Sequence, residues 1–553
     1  MRPVTAAATF CATLVDEWIR LGVTDAVVCP GSRSTPMALA IADSNLRLHM
    51  HHDERSAAFM ALGIALASGR PAIILTTSGT ATVNLHPAVV EADLSGVPMI
   101  VCTADRPPWL HGRGAPQTID QRHLYGTAVR AFHDPGVPDG EQSSTWRMLA
   151  RAVHADSLVA RDRAGPVQLN LSFDEPLTGG PDELPPVLSE SDPPATPDAP
   201  GQPERLTGRG VIVAGRSHLD SADVLRLATE AGWPILADPR SRLDRSARCV
   251  VVHPDSILRH EATAAALRPE MVLRIGEAPS SRVVNEWLRD CGAHEVVVAD
   301  RHLDPWVSAD EVIVTLRSDA LAGWSFAVSA EPAWLDGWVH AEERAAAAIA
   351  SVVDDGLLSE PAAARCVFDV SAPGTAIVLS SSMPVRDAEW YAEPAAAGVE
   401  VYANRGANGI DGVTSTAVGV ALAGRRTVAI LGDVAFLHDS NGLLGLAQRH
   451  LDLTLVVVDN NGGGIFSFLP QAKVLSVGRF EQLFGTPHGV DLPGLAKAHG
   501  LPCHTVRSGA ALSSALQTDG TQIVLVETDR GANVAVHEAI NAAVAASLDD
   551  PSG

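Results

Sequence analysis

The sequence predicts an α/β protein with three domains, each built on a parallel sheet. Its 553 residues allow three to four domains that each bury a core. Short apolar runs alternate with helical stretches along the chain, which is typical of parallel α/β sheets. In the last third, two apolar runs end at the polar turns Gly432-Asp433 and Asn460-Asn461-Gly462, and such sheets bind ligands at these strand ends.

The first domain is predicted to comprise residues 1–178. Its strands are expected at five apolar runs, Ala26–Cys29, Leu46–Met50, Ala72–Thr76, Met99–Cys102 and Val167–Leu171. The Ala-rich stretch Ala57–Ala67 indicates a helix after the second of these strands. Residues 179–205 are rich in Pro, Gly, Asp and Ser, and they predict an exposed linker.

The central domain is predicted at residues 206–335 and the third domain at residues 336–553. Central strands are expected at Gly210–Ala214, Trp233–Ala237, Met271–Ile275 and Glu295–Val298. Strands of the third domain are expected at Ala376–Ser380, Val399–Ala403, Thr427–Leu431, Leu453–Val458 and Gln522–Val526. The Ala-rich stretch His340–Val353 predicts a helix that leads into this last domain. Gly208-Arg209-Gly210 precedes its strand, so it does not form a dinucleotide-binding fingerprint.

Composition limits the classes of function. Hydrophobic residues make up 46%, the mean hydropathy is +0.11, and no apolar run approaches a membrane span. Asp16, Glu17 and Arg20 follow an apolar N-terminal patch, which indicates an amphipathic first helix, so we expect a cytoplasmic protein. The net charge of -24 argues against nonspecific nucleic-acid binding, because such binding needs a basic surface. Seven scattered cysteines without a CxxC pair indicate reduced thiols.

The two polar turns of the third domain suggest a metal bound to a diphosphate. The Asp433 carboxylate, the Asn460 amide oxygen and a carbonyl at Gly462 are the kind of oxygen ligands that Mg²⁺ prefers, and Mn²⁺ would suit them as well. An ordinary pair of strand-end turns is the alternative explanation of the same residues.

Glu54 is the candidate catalytic acid of the first domain. It lies between the apolar run that ends at Met50 and the Ala-rich helix, at a strand-to-helix junction. An acid at a helix N-terminus also stabilises the helix through its dipole, so position alone leaves a structural role open.

Blocks of sequence in the same order and spacing resemble one enzyme family over the whole chain. In the first domain they are Val28-Cys29-Pro30-Gly31-Ser32-Arg33-Ser34-Thr35-Pro36, Asp53-Glu54-Arg55, Thr77-Ser78-Gly79-Thr80-Ala81, Thr103-Ala104-Asp105-Arg106-Pro107-Pro108 and Gly114-Ala115-Pro116-Gln117. In the third they are Ser382-Met383-Pro384-Val385-Arg386, Asn404-Arg405-Gly406-Ala407-Asn408-Gly409-Ile410-Asp411-Gly412 and Asn460-Asn461-Gly462-Gly463-Gly464-Ile465-Phe466. The pattern resembles the 2-succinyl-5-enolpyruvyl-6-hydroxy-3-cyclohexene-1-carboxylate (SEPHCHC) synthases, thiamine diphosphate enzymes of menaquinone biosynthesis.

The resemblance implies a pyrimidine-binding domain, a central domain and a diphosphate-binding domain, all doubly wound. It implies thiamine diphosphate as cofactor, bound between the first domain of one subunit and the third domain of another. Glu54 would then exchange a proton with the aminopyrimidine ring, opposite a metal held by Asp433, Asn460 and Gly462. We therefore expect a homodimer or homotetramer with Mg²⁺ or Mn²⁺ at each site.

The resemblance also implies a reaction and its substrates. The family decarboxylates 2-oxoglutarate and adds the resulting succinyl-semialdehyde carbanion to isochorismate in a 1,4-addition. Both substrates are dicarboxylates, which planar Arg side chains bind well. By motif match, the substrate-binding residues are Ser32, Arg33, Arg106, Gln117, Arg282, Ser382, Arg386 and Arg405. For Arg282 a surface ion pair is an equal alternative.

The remaining cofactor contacts follow from the same motifs. Ser382 and Arg405 would also contact the cofactor, Ile410 would support its bent conformation, and Ile465 and Phe466 would wall the thiazolium ring. Ordinary core packing is the alternative for the three apolar residues.

Three departures from the family pattern and two other functions stay open. Val434 stands where many thiamine enzymes have Gly, Pro116 where some members have Asn, and Ser281 where some have Lys.

The runner-up function is a thiamine carboligase or decarboxylase acting on another 2-oxo acid such as pyruvate. The third is a noncatalytic cofactor-binding regulator, although the presence of Glu54 and the metal ligands argues against it.

Overall fold

Three six-stranded sheets, each parallel throughout, form the three domains of the protein. The computed structural model describes residues 3–159, 163–189, 201, 206–326, 329–354 and 358–550. Most of the predicted linker therefore lies outside the described residues, since 190–200 and 202–205 are not among them. The α/β class predicted from the sequence is confirmed.

The first sheet has the strand order β2-β1-β3-β4-β6-β5. Its strands are β1 Asp25–Val28, β2 Arg47–Met50, β3 Ala72–Thr76, β4 Met99–Asp105, β5 Phe132–His133 and β6 Pro166–Ser172. Its helices are α1 Ala6–Arg20, α2 Thr35–Ala42, α3 Glu54–Ser68, α4 Thr80–Asn84, α5 His86–Ser95 and α6 Trp146–Val159. Every residue of β1, β3, β4 and β6 is buried, which explains their continuous apolar runs.

Helix α3 begins and ends at residues suited to these positions. The Asp53 carboxylate accepts a hydrogen bond from the Ser56 N–H at 3.0 Å and caps the N-terminus. The C-terminus is closed by Gly69, whose φ of 67° places it in the left-handed region. Glu54 is consequently held in the first turn, at the carboxyl end of the sheet.

The central sheet has the order β12-β11-β10-β7-β8-β9. Its strands are β7 Gly210–Ala214, β8 Ile235–Ala237, β9 Val250–Val251, β10 Met271–Ile275, β11 His294–Ala299 and β12 Glu311–Val314. Its helices are α7 Ser221–Ala231, α8 Pro254–Leu258, α9 Glu261–Ala266 and α10 Arg282–Asp290. The long helix α11, Pro332–Val353, buries Trp334 and Trp338 in this domain's core, where Trp338 meets Trp287 edge to face at 5.8 Å.

The third sheet has the order β14-β13-β15-β16-β18-β17. Its strands are β13 Ala376–Leu379, β14 Glu400–Ala403, β15 Thr427–Gly432, β16 Leu453–Asp459, β17 Cys503–Val506 and β18 Thr521–Glu527. Its helices are α12 Glu360–Val370, α13 Met383–Tyr391, α14 Val413–Leu422, α15 Asp433–His438, α16 Gln471–Val474, α17 Val477–Phe480, α18 Leu492–Ala498, α19 Gly509–Leu516 and α20 Arg530–Asp549. Because β15 and β16 are neighbours, Asp433 and Asn460 leave the sheet side by side.

The first and third domains share one hydrophobic core, in which α3 packs against α14. The helices approach closely at Gly63 and Gly419, where a Cβ on Gly63 would overlap the Thr416 carbonyl oxygen. At the end of this contact, the Ser56 hydroxyl donates to the Asp439 carboxylate at 2.8 Å. The first and third domains are therefore held together by two helices whose backbones are in close contact.

The predicted strands are confirmed, with their ends shifted by one or two residues at most in nearly every case. Four short or edge strands, β5, β9, β12 and β17, were not predicted. The helix predicted at His340–Val353 is confirmed and begins earlier, at Pro332. The seven cysteines are unbridged, as expected. Among the helices of the described residues, none combines the length and the apolar character that a membrane span requires.

Candidate active site

A cavity of about 530 Å³ opens at the carboxyl ends of β13, β15 and β16 in the third domain. Its walls contain all nine residues that the sequence motifs of this domain predicted for the site: Ser382, Arg386, Arg405, Ile410, Asp433, Asn460, Gly462, Ile465 and Phe466. Its position at the strand ends is the usual ligand site of a parallel α/β sheet.

Asp433 is buried at the start of α15, at the floor of this cavity. Its Oδ2 accepts hydrogen bonds from the Gly462 N–H at 2.8 Å and from His488 Nε2 at 3.1 Å. Its Oδ1 accepts one from the Val434 N–H at 2.7 Å. Burial raises the pKa of Asp433 above its usual range, although these hydrogen bonds oppose the rise. A cation bound here would stabilise the charged carboxylate.

Asn460 presents its amide oxygen without a hydrogen-bond partner among the described residues. Its Oδ1 is buried, whereas its Nδ2 donates to Glu360 Oε1 at 2.9 Å. A buried unpaired acceptor is costly, and a metal ion is one partner that would satisfy it. Gly462 adds a backbone carbonyl in a segment where only glycine fits, since its φ is 140° and a Cβ would overlap the Gly485 carbonyl oxygen. The three residues fit a divalent cation.

His488 is a neighbour of this site that the sequence analysis missed. Ligand atoms of His488, Asp433 and Asp459 all lie within 4.8 Å of one another. The loop that carries His488 is tied to the metal motif, because Asn461 Oδ1 accepts the His488 N–H at 3.1 Å. A single histidine in a loop far along the chain gives no sequence signal for this approach.

Two half-buried arginines give the cavity its positive charge. Arg386 Nη1 donates to the Ser382 carbonyl at 2.6 Å, and Arg405 Nε is buried without an acceptor in the described part of the chain. Burial lowers the pKa of both guanidinium groups, and for Arg405 the nearby Arg240 lowers it further. Guanidinium groups withdrawn from water need anions to compensate them, so the cavity is suited to a carboxylate or phosphate ligand.

Helix α13, which carries Arg386, is fixed to the central domain through Glu389. The Glu389 carboxylate accepts the backbone N–H groups of Ser280 at 2.7 Å and Ser281 at 2.8 Å, just before α10. Arg282 follows directly in α10, but its side chain is 79% exposed and pairs with Glu286 at 2.6 Å. The structure therefore does not bring Arg282 into the cavity.

A second group of predicted residues gathers in the first domain around Ser78, which follows β3. Arg106 Nη1 donates to the Ser78 hydroxyl, and Gln117 Nε2 donates to the Ser78 carbonyl at 3.0 Å. Arg33 donates to the Phe173 carbonyl at 2.9 Å. Burial, and then the neighbouring charge of Arg33, lower the pKa of Arg106. Two neighbouring guanidinium groups again suit an anionic ligand.

Glu54 and Ser32 complete this first-domain group. Ser32 is exposed, and Glu54 is half-buried with Asn84 Nδ2 at 3.4 Å from its Oε2. Within the described ranges, no first-domain residue lines the third-domain cavity. Within one chain, the first-domain group of predicted site residues therefore does not share this cavity with the third-domain group.

Comparison with protein families identifies the class of protein that this fold and cavity define. Residues 8–124 match the N-terminal TPP-binding domain of thiamine pyrophosphate enzymes, residues 188–374 match their middle domain, and residues 394–528 match their C-terminal TPP-binding domain. A solved structure from Mycobacterium smegmatis, assigned as a thiamin diphosphate-dependent enzyme, has the same fold. It superposes with a TM-score of 0.68 at 18% identity and covers 96% of this chain and 100% of that one. The protein is a thiamine diphosphate enzyme.

Curated relatives narrow the class to one family. The 2-succinyl-5-enolpyruvyl-6-hydroxy-3-cyclohexene-1-carboxylate synthase of Thermobifida fusca is 43% identical over 99% of this chain and 100% of its own. The synthases of Myxococcus xanthus and Geobacillus kaustophilus are 40% and 39% identical, covering 97% and 96% of this chain and 97% of each relative. The chain belongs to the SEPHCHC synthase family.

Proposed function

We propose that this enzyme condenses 2-oxoglutarate with isochorismate, with loss of carbon dioxide, to form SEPHCHC for menaquinone biosynthesis. The observation that carries the proposal is the third-domain cavity. An Asn460 oxygen without a hydrogen-bond partner among the described residues and the buried Asp433 line it together with the half-buried arginines Arg386 and Arg405. One part of this cavity suits a metal and diphosphate, and the other suits a carboxylate substrate.

The cofactor is held by the third domain in this proposal. Bound thiamine diphosphate supplies a nucleophilic thiazolium carbon that accepts a 2-oxo acid and stabilises the charge left when carbon dioxide departs. Asp433, Asn460 Oδ1 and the Gly462 carbonyl would hold the divalent cation, Mg²⁺ or Mn²⁺, that accompanies the diphosphate. Ile410 would pack against the bound cofactor, and Ile465 and Phe466 would exclude water beside it.

The substrates are held by both groups of residues. Ser382, Arg386 and Arg405 bind carboxylates from the third-domain side, and Arg405 and Ser382 also contact the cofactor. From the first-domain side the contributors are Ser32, Arg33, Arg106 and Gln117. Arg282 would have to leave Glu286 to take part. A pocket with several arginines favours dicarboxylates over pyruvate.

We propose that the two groups meet across a subunit interface in a homodimer or homotetramer. The separation of Glu54 from the cavity within one chain supports this arrangement. Glu54 of one subunit then reaches the aminopyrimidine of a cofactor held by the other, where its carboxyl oxygen holds and returns a ring proton.

The test is isochorismate consumption, with the product identified by mass, in the presence of thiamine diphosphate, Mg²⁺ and 2-oxoglutarate. Each component is omitted in turn, and the Glu54→Gln variant serves as the control. Consumption that needs every component and Glu54 supports the proposal. Carbon dioxide release from 2-oxoglutarate or pyruvate with isochorismate untouched would show that the proposed acceptor is wrong.

A further inference from the structure

Glu360 is a buried acid in the wall of the cavity, and the function proposed above does not use it. It is the first residue of α12, behind Ser359, whose hydroxyl accepts the Ala362 N–H at 3.2 Å. Only 4% of Glu360 is exposed. Burial, and then the charge of Asp387, raise the pKa of Glu360 to about 7. Since burying a carboxyl group is costly, specific contacts must account for its position.

Two donors converge on one oxygen of this carboxyl group. Asn460 Nδ2 donates to Glu360 Oε1 at 2.9 Å, and the Thr528 hydroxyl donates to the same oxygen at 3.0 Å. An oxygen that receives two such bonds acts as an acceptor, so it selects the NH₂ side of the Asn460 amide and rejects the carbonyl side.

This selection determines what Asn460 presents to the cavity. The amide is planar, and its oxygen and nitrogen point in different directions, so an NH₂ group held by Glu360 leaves Oδ1 directed elsewhere. Oδ1 is buried and has no hydrogen-bond partner in the described chain. Gly464 packs against the Asn460 amide and leaves room for it, because a Cβ at position 464 would lie only 2.6 Å from Asn460 Nδ2. The reverse orientation would direct two N–H donors toward the metal position.

We propose that Glu360 is a positioning residue of the metal site, which takes the NH₂ group of Asn460 and so presents the amide oxygen to the divalent cation. The inference rests on the metal ligation in the proposed function. Residues that orient metal ligands in this way typically change metal affinity 10- to 100-fold when they are lost.

The experiment measures Mn²⁺ binding to the full-length protein in the presence of thiamine diphosphate, with free Mn²⁺ quantified by electron paramagnetic resonance. Glu360→Ala is expected to weaken Mn²⁺ binding about 10- to 100-fold. Glu360→Gln keeps an acceptor oxygen without the charge, and we expect it to recover most of that loss. Unchanged Mn²⁺ affinity in Glu360→Ala would overturn the proposal. An equal loss of affinity in Glu360→Ala and Glu360→Gln would also overturn it, because the effect would then come from the charge of Glu360.

The same measurement in an Asn460→Asp variant separates loss of the amide orientation from general damage to the metal site. In Asn460→Asp both side-chain atoms are oxygens, so no orientation has to be selected, and adding Glu360→Ala should cause no further loss of Mn²⁺ affinity. The same loss as in the wild-type background would contradict the proposal. Thr528→Val removes the other donor to Glu360 and leaves the Asn460 contact, and it should bind Mn²⁺ nearly as the wild type does.

Asn460→Ala distinguishes failure of this inference from failure of the site. If Asn460→Ala binds Mn²⁺ as tightly as the wild type, the proposed metal ligation is wrong and the role of Glu360 is rejected with it. If Asn460→Ala loses affinity and Glu360→Ala does not, the metal site stands and only the role of Glu360 is rejected.

Discussion

Glu91 of the first domain accepts a hydrogen bond from the backbone N–H of Gly406 in the third domain, at 2.8 Å. Its other oxygen accepts the Ala407 N–H at 2.7 Å. Burial raises the pKa of Glu91, although these bonds oppose the rise. The segment that Glu91 holds runs from Arg405 to Ile410, and both of these residues line the cavity. The first domain therefore positions part of the third-domain cavity within the same chain.

We predict that Glu91→Ala lowers activity without removing any group from the cavity. Loss of the carboxylate removes the partner of two backbone N–H groups, at a cost of about 1–3 kcal/mol for each group that water does not reach. Displacement of the Arg405 segment should lower kcat/KM for 2-oxoglutarate up to about 100-fold. Steady-state kinetics check this, with Ser95→Ala as control, because the Ser95 hydroxyl donates to the same carboxylate at 2.7 Å and its removal leaves the Gly406 and Ala407 N–H groups paired. Equal kcat/KM in Glu91→Ala and Ser95→Ala would contradict the prediction.

Subunit complementation tests where the active site lies. Glu54→Gln should bind the cofactor without turnover, and Asp433→Ala should fail to hold the metal, so each variant alone should be inactive. In a mixed dimer with the site between chains, one site carries both changes and the other carries neither. Random association of equal amounts makes half the dimers mixed, so about a quarter of wild-type activity should return. Inactivity of mixed oligomers isolated through two different affinity tags would place Glu54 and Asp433 of one chain in the same site.

The third-domain site could be predicted because its residues follow consecutive elements of a regular sheet. Asp433 and Asn460 end neighbouring strands, so a strand assignment alone brings them together. Glu360 and Glu91 could not be found in this way, since their partners lie 100 and 315 residues away and no periodicity connects them. Arg282 shows the converse: its motif is recognisable, but its side chain pairs with Glu286, one turn along its own helix, which is the alternative that the sequence left open.

Most of the predicted strands are buried on both faces, which makes them apolar throughout. Strands β5 and β9 have only two residues each, which is too short for any pattern. Strand β17 lies at the sheet edge, and its His504 and Thr505 are exposed, so its sequence lacks an apolar run. Polar residues are expected on the exposed edge strand of a sheet, but they interrupt the apolar run from which a strand is predicted.

Gly63→Ala should destabilise the contact between α3 and α14. The added methyl group would overlap the Thr416 carbonyl oxygen and press on Gly419, so the helices must separate, at a cost of about 1–3 kcal/mol. Gly509→Ala in α19 is the matched control, because its Cβ would meet open space and a helical Gly→Ala change should stabilise by up to about 1 kcal/mol. Thermal unfolding midpoints should move in opposite directions. A Gly63→Ala midpoint equal to that of the wild type would refute the packing argument.

Glu389 should make stability depend on pH. Burial, and then the charge of Asp238, raise the pKa of Glu389 to about 7, although the N–H groups of Ser280 and Ser281 oppose the rise. The pKa of Glu in an unfolded chain is about 4.3. Between these values the folded protein binds more protons than the unfolded chain, so this group's contribution to stability falls as pH rises from about 4.5 to about 7.

The comparison that isolates this group is wild type against Glu389→Gln, because the variant cannot titrate at this position and all other groups are shared. Whatever the absolute stability of the variant, the difference in unfolding midpoint, wild type minus variant, should decrease between pH 5 and pH 8. Glu286→Gln, which changes a partly exposed carboxylate of α10, is the control for a general effect of charge. A wild-type advantage that stays constant or grows with pH would mean that the carboxylate bound to Ser280 and Ser281 is already ionised at pH 5.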